Sequence, residues 1–166
     1  MSDRNDAGGA PGLFSLTQIR HLMRTEFGRA KRYEYPVGCL MVELDGLATF
    51  RDRFGYDAKE GLFEDLVALL LAQTRSCDYL GRMMDDRLLL ILPHTDGPGI
   101  EALTTRLQEA VPAMPPQAGA EDFALRLNAG SSLFADGEPM FFDALLDQAE
   151  AALDRAGGGA HVRHGT

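Results

Sequence analysis

Tyr79-Leu80-Gly81-Arg82-Met83-Met84-Asp85-Asp86-Arg87-Leu88-Leu89-Leu90-Ile91-Leu92-Pro93 is the stretch on which the fold turns. Two short apolar runs, 79–83 and 88–92, flank the polar pair Asp85-Asp86, the pattern of a β-hairpin. The run from Leu88 to Leu92 is far too short to cross a membrane and suits a buried strand. Upstream, Ile19, Leu22, Met23, Phe27 and Ala30 recur at three- and four-residue steps. That spacing predicts a helix over 14–31, stopped by Tyr35-Pro36, because proline disfavours helix in the residue before it. Residues 37–44 read as a mostly buried strand ending at Asp45-Gly46. A short amphipathic helix over 47–54 follows, until Gly55. Asp57 with Glu60 three positions later matches a capping box. It predicts a helix to about residue 75, with Leu62, Phe63, Leu66, Val67, Leu70 and Leu71 turned inward.

Beyond the hairpin, 93–98 reads as a loop, 99–111 as a helix and 112–120 as a loop rich in Pro, Ala and Gly. Residues 123–134 alternate as a strand, with Phe123, Leu125 and Leu127 on one face. A last amphipathic helix over 140–156 ends at Gly157-Gly158-Gly159. This order predicts an α/β (α+β) domain, a mixed central sheet flanked by helices. Residues 1–13 read as a flexible leader without the apolar core of a signal peptide. Residues 14–160 form the domain and 161–166 a polar tail.

At 166 residues the chain suits one core. Its net charge of -9 argues against a nucleic-acid polymer as partner, which needs a basic face to displace counterions. A small anionic ligand held by a local arginine cluster remains compatible. No stretch is long and apolar enough for a membrane span. Cys39 and Cys77 lack metal-ligand spacing, and a disulfide framework is not expected, which suits a reducing cytoplasm.

Two stretches together carry a resemblance. One runs from Val42 through Glu43-Leu44-Asp45 to Phe54-Gly55-Tyr56, the other from Arg75-Ser76-Cys77-Asp78 through the hairpin to Pro93. Both resemble the bacterial GGDEF (diguanylate cyclase) family in order and spacing, as does Leu145-Leu146-x-x-Ala149-Glu150-x-Ala152-Leu153. The resemblance covers roughly 15–161. It implies the nucleotidyl-cyclase-like fold, and it implies a site with several departures. The family signature falls on Met84-Asp85-Asp86-Arg87-Leu88, so both glycines are gone. Glycine there lets the backbone turn tightly and approach a nucleotide. Met84 and Asp85 add bulk, and Asp85 adds negative charge where a triphosphate should lie. Arg87 replaces an acid, whereas Asp86 keeps one. Glu43 stands where the family has a metal-binding aspartate, so a weak Mg²⁺ site between Glu43 and Asp86 is conceivable, with two solvated acids as the other reading. Arg51 and Glu60 lie where the family contacts guanine with Asn and Asp. Gly157 and His161 fall where phosphate-binding Lys and Arg are expected.

Arg75-x-x-Asp78 matches the family's inhibitory site, where the product cyclic di-GMP binds away from the active site. Arg106 falls where some members place a further arginine of that site. Arginine offers phosphate and guanine a planar fork, and aspartate can accept from guanine N–H groups. Taken without the family frame, Arg-x-x-Asp at a helix end reads as a surface ion pair worth little. The reading that results is a degenerate, non-catalytic receptor for cyclic di-GMP, needing no cofactor. It would signal to an unidentified protein partner or through a ligand-linked homodimer. A nucleotide-independent interaction scaffold and an active cyclase stand as the alternatives.

Overall fold

The computed structural model describes residues 12–135 and 141–157. The elements in chain order are β1 (Leu13–Phe14), α1 (Leu16–Tyr33), β2 (Val37–Leu44), α2 (Leu47–Phe54), α3 (Tyr56–Gln73), β3 (Tyr79–Arg82), β4 (Leu88–Pro93), α4 (Gly97–Ala110), β5 (Leu127–Phe134) and α5 (Phe142–Ala156). The strands form one sheet in the order β1-β3-β4-β2-β5. β1 runs parallel to β3, and every other pairing is antiparallel. The predicted hairpin is β3–β4, with Leu80 opposite Leu90 and Arg82 opposite Leu88.

The central strands are apolar at nearly every position because both faces of the sheet are covered. Side chains alternate between the faces. Leu40, Val42, Leu44, Leu88, Leu90 and Leu92 meet Leu62, Leu66 and Leu70 of α3 and Leu103 and Leu107 of α4. The intervening Val37, Cys39, Met41, Leu89 and Ile91 meet Ile19, Met23 and Phe27 of α1 and Leu145, Ala149 and Leu153 of α5. Complete burial pushes the Cys39 thiol up to about 12, so it packs as an inert apolar group. α5 lies unusually close to β5. A Cβ at Gly130 would stand 2.0 Å from the backbone nitrogen of Leu153, so glycine is required by proximity. The Ser132 hydroxyl donates to the Leu145 carbonyl at 2.5 Å and fixes the same contact.

Several predicted boundaries are corrected. Leu13 and Phe14 form a strand, so the leader does not reach residue 13 and the first helix does not include Phe14. α1 instead begins with a capping box of Ser15 and Gln18. Asp57 is not a cap: Gly55 is the N-cap of α3 and Asp57 sits in its first turn, where its charge favours the helix dipole. Glu60 does not turn back to the helix start, because two cations draw it elsewhere. α3 stops at Gln73 rather than about 75, with Thr74 extended. α4 begins two residues earlier than predicted, because Asp96 accepts the Gly99 N–H at 2.9 Å. β5 starts at Leu127, not at residue 123. Phe123 instead packs on Phe50 and Phe54, with ring centroids 5.1 and 6.2 Å away, and this aromatic cluster holds the chain off the sheet. The predicted start of the last helix at Met140, His161, most of the leader and the whole polar tail lie outside the described residues.

Candidate functional site

Two regions carry the residues singled out from sequence. The first is the tip of the β3–β4 hairpin. Without its glycines the turn still closes tightly. Asp85 has φ 60 and ψ 33, and Asp86 has φ 59. Aspartate tolerates this left-handed region better than most side chains. The Met83 N–H donates to the Arg87 carbonyl at 2.7 Å and closes the loop. What changes is bulk and charge, since Met84 projects into solvent with 68% of its surface exposed.

Charges around the tip are satisfied by one another. Lys59, only 6% exposed, donates to Glu60 at 2.7 Å and to Asp86 at 2.9 Å. Arg82 donates to the other Asp86 oxygen at 2.6 Å and lies over the Phe63 ring at 4.2 Å. One strand away, Arg87 joins Glu43 at 3.0 Å to Asp154 of α5 at 2.6 Å. These contacts test whether a divalent ion fits. Both Asp86 oxygens already accept from Lys59 and Arg82, and Glu43 accepts from a different cation. Among the described residues no set of three or more acidic, His or Cys side chains is placed to hold a metal. The donor set therefore does not suit the Mg²⁺ site conceived between Glu43 and Asp86, and neither acid is merely solvated. Arg51 is exposed and pairs with Asp52 at 3.3 Å. Gly157 caps α5, its N–H donating to the Leu153 carbonyl at 2.9 Å.

This cluster has a pH signature. Burial alone would raise the Asp86 carboxyl, but the bonds from Lys59 and Arg82 outweigh it and hold it below the usual carboxylate range. The Lys59 ammonium bond lowers Glu60. A carboxyl depressed in the folded state contributes stability above its unfolded pKa and loses it as pH falls through the folded value. The melting temperature should therefore fall as pH drops below the ordinary carboxylate range near ~4. Asp86→Asn should flatten that decline in thermal melts at stepped pH; an unchanged slope would remove Asp86 from the account.

The second region lies at the far end of the same hairpin. Arg75 is not at a helix end as expected but in the turn that follows α3. Its backbone N–H donates to Asp78 at 2.8 Å, and the Asp78 N–H returns a bond to the Arg75 carbonyl at 3.1 Å. The Arg75 guanidinium reaches Asp78 at 3.2 Å, the Pro93 carbonyl at 2.7 Å and the Thr95 hydroxyl at 2.6 Å. It is thus oriented at three points while 53% of its side chain stays exposed. The Asp78 side chain is only 3% exposed, so its oxygens face Arg75 rather than solvent. Arg106 of α4 donates to the Gln73 carbonyl at 3.2 Å. Arg75, Asp78 and Arg106 line one open cleft of about 350 Å³, together with Thr95, Asp96 and His94. Sequence reasoning missed Lys59, Arg82, His94, Thr95 and Asp154. The only local cue was the position of Thr95 just beyond the strand-ending Pro93.

Comparison with known proteins fits this architecture. The family described as "Diguanylate cyclase, GGDEF domain" matches residues 11–160. Diguanylate cyclase DgcP of Pseudomonas aeruginosa is 23% identical over 145 residues, covering 87% of this chain and 21% of the relative. The chain spans about a fifth to a quarter of the length of the curated relatives it matches. The GGDEF domain of DgcB from Caulobacter crescentus, solved in complex with c-di-GMP, superposes with a TM-score of 0.82 at 14% identity over 95% of this chain and 94% of that one. The diguanylate cyclase SiaD, solved with its activator SiaC from Pseudomonas aeruginosa, gives a TM-score of 0.80 at 22% identity over 89% of this chain and 57% of that one. At these identities the structural likeness speaks for the fold, and the family match spans nearly all of the chain. The chain belongs to the GGDEF domain family.

Proposed function

We propose that this domain is a non-catalytic receptor for cyclic di-GMP, binding it in the Arg75 cleft and passing its occupancy to a protein partner. The observation that carries the reading is the guanidinium of Arg75, held by Asp78, Pro93 and Thr95 at the mouth of a cleft that Arg106 also lines. With Nε and Nη2 held by those partners, Nη1 is the donor the guanidinium presents to a phosphate or guanine, already oriented, so less side-chain entropy is lost on binding. The cleft's size falls within the ~300–1,000 Å³ of ligand sites. The DgcB complex with c-di-GMP and the SiaD complex with SiaC support a ligand and a partner of these kinds by analogy. A ligand bridging two copies would give the ligand-linked homodimer.

The hairpin tip supports the absence of cyclase chemistry. Joining two GTP molecules needs metal ions, neutralised phosphates and aligned hydroxyls. Here the acids are taken up by Lys59, Arg82 and Arg87, and Gly157 brings no charge. No turnover of GTP is expected with Mg²⁺ or Mn²⁺. Enzyme-dependent cyclic di-GMP that disappears in Asp86→Ala would overturn this. Calorimetric titration with cyclic di-GMP, with GTP as control, tests the receptor reading. Heat and a melting shift with cyclic di-GMP alone are expected, since a ligand that binds only the folded state stabilises it. Silence with both nucleotides would leave the interaction scaffold as the better account.

A further inference from the structure

A second cleft, of about 530 Å³, lies beside the first and is lined by Glu26, Arg29, Tyr33, Tyr35, Tyr79 and His94, among others. Among the described residues, His94 is the one that lines both clefts. We propose that the His94 imidazole is the wall between them and a ligand-contacting residue, its ring stacking against a purine base of the nucleotide in the Arg75 cleft. This rests on reading that cleft as a nucleotide site.

The ring is held in place from behind. It stacks on Tyr35 with centroids 3.8 Å apart and planes inclined by 20°. Tyr35 is itself buried, and its hydroxyl donates to Glu26, a carboxylate only 4% exposed that also pairs with Arg29 at 3.5 Å. Burial, and then the Glu26 bond, raise the Tyr35 phenol, so it stays a neutral donor. The backbone is pinned as well, with the His94 N–H donating to the Pro36 carbonyl at 2.8 Å. His94 has φ 56, a left-handed conformation that glycine adopts without penalty and histidine does not. The turn itself forms with less strain as glycine. The imidazole therefore adds something other than the turn, and its place between two clefts says what. A fixed planar ring beside a guanidinium fork offers a base one stacking surface and a phosphate one charged partner.

The test separates ring from backbone. His94→Gly keeps the left-handed turn and removes the ring, whereas His94→Phe keeps a stacking surface. Calorimetric titration with cyclic di-GMP should show His94→Gly weaker by about 5- to 150-fold, the effect of losing one aromatic stack. His94→Phe should stay close to the parent. Thermal melts without ligand should show only a small change in His94→Gly, the relaxed left-handed turn offsetting the lost stack on Tyr35. A merely structural role would lower stability and affinity together. Parent-like affinity in His94→Gly, or an equal loss in His94→Phe, overturns the stacking wall while leaving the Arg75 cleft intact. If the parent fails to bind cyclic di-GMP, both readings fall.

Discussion

Arg75→Ala is expected to weaken cyclic di-GMP binding about 10- to 150-fold, since a hydrogen bond to a charged group contributes about 1.5–3 kcal/mol and each 1.4 kcal/mol is tenfold. The ligand is anionic and the chain carries a net charge of -9, so long-range attraction opposes encounter and local contacts must supply the affinity. Arg75→Lys should not rescue, because an ammonium lacks the planar fork. The burial of Asp78 decides its role. With 3% of its side chain exposed and its oxygens on Arg75, it positions the guanidinium rather than reading the base. Asp78→Ala should therefore lose less than Arg75→Ala, as Pro93 and Thr95 still hold the fork. Arg106→Ala should also lose less, having one bond across the cleft and no second anchor on the hairpin. Arg51→Ala is the control, because Arg51 pairs with Asp52 outside the cleft. Isothermal titration checks all five, and parent-like binding in Arg75→Ala would sink the receptor reading.

Which parts of this were legible in the sequence follows from the range of the contacts. β2 and α2 coincide with their predicted bounds because each is specified by its own pattern, an apolar run bounded by Asp45-Gly46 and an amphipathic turn bounded by Gly55. β1 was not legible: two residues carry no period, and they form a strand only by pairing with Leu80 and Gly81. β5 was read too long because Phe123 and Leu125 alternate correctly for a strand, yet Phe50 and Phe54 capture the chain first. The same rule governs the candidate sites. Arg75 and Asp78 are three residues apart, and their pairing could be read directly. Arg87 meets Asp154 across 67 positions, and Lys59 meets Asp86 across 27. No local pattern announces either pair. Sequence reasoning could see that acids and glycines had changed at the hairpin tip. It could not see that Lys59 and Arg82 close the charge balance there.

Arg87→Ala should be among the most damaging single changes, costing toward the lower end of the ~3–5 kcal/mol lost when one partner of a buried ion pair is removed. Glu43 is 7% exposed on a central strand, and Arg87, just before β4, ties it to Asp154, so one guanidinium links β2 to α5. Removing it takes a cation 3.0 Å away from a carboxylate in the core. The lower end is expected because about half of the Asp154 side chain, 49%, reaches water and softens that end of the bridge. The double variant Glu43→Leu with Arg87→Met should recover much of the loss, since apolar groups of similar volume can replace a buried pair at little cost. Urea unfolding of parent, singles and double closes this cycle. A cost near zero for Arg87→Ala would mean that the bridge is solvated. The same bridge makes a statement about metal. Because Arg87 already supplies the positive charge facing Glu43, Mg²⁺ or Mn²⁺ should leave the parent's melting temperature unchanged, and a chelator should not lower it. A rise with either ion would show that the carboxylates recruit a metal after all and would overturn this reading of the hairpin tip.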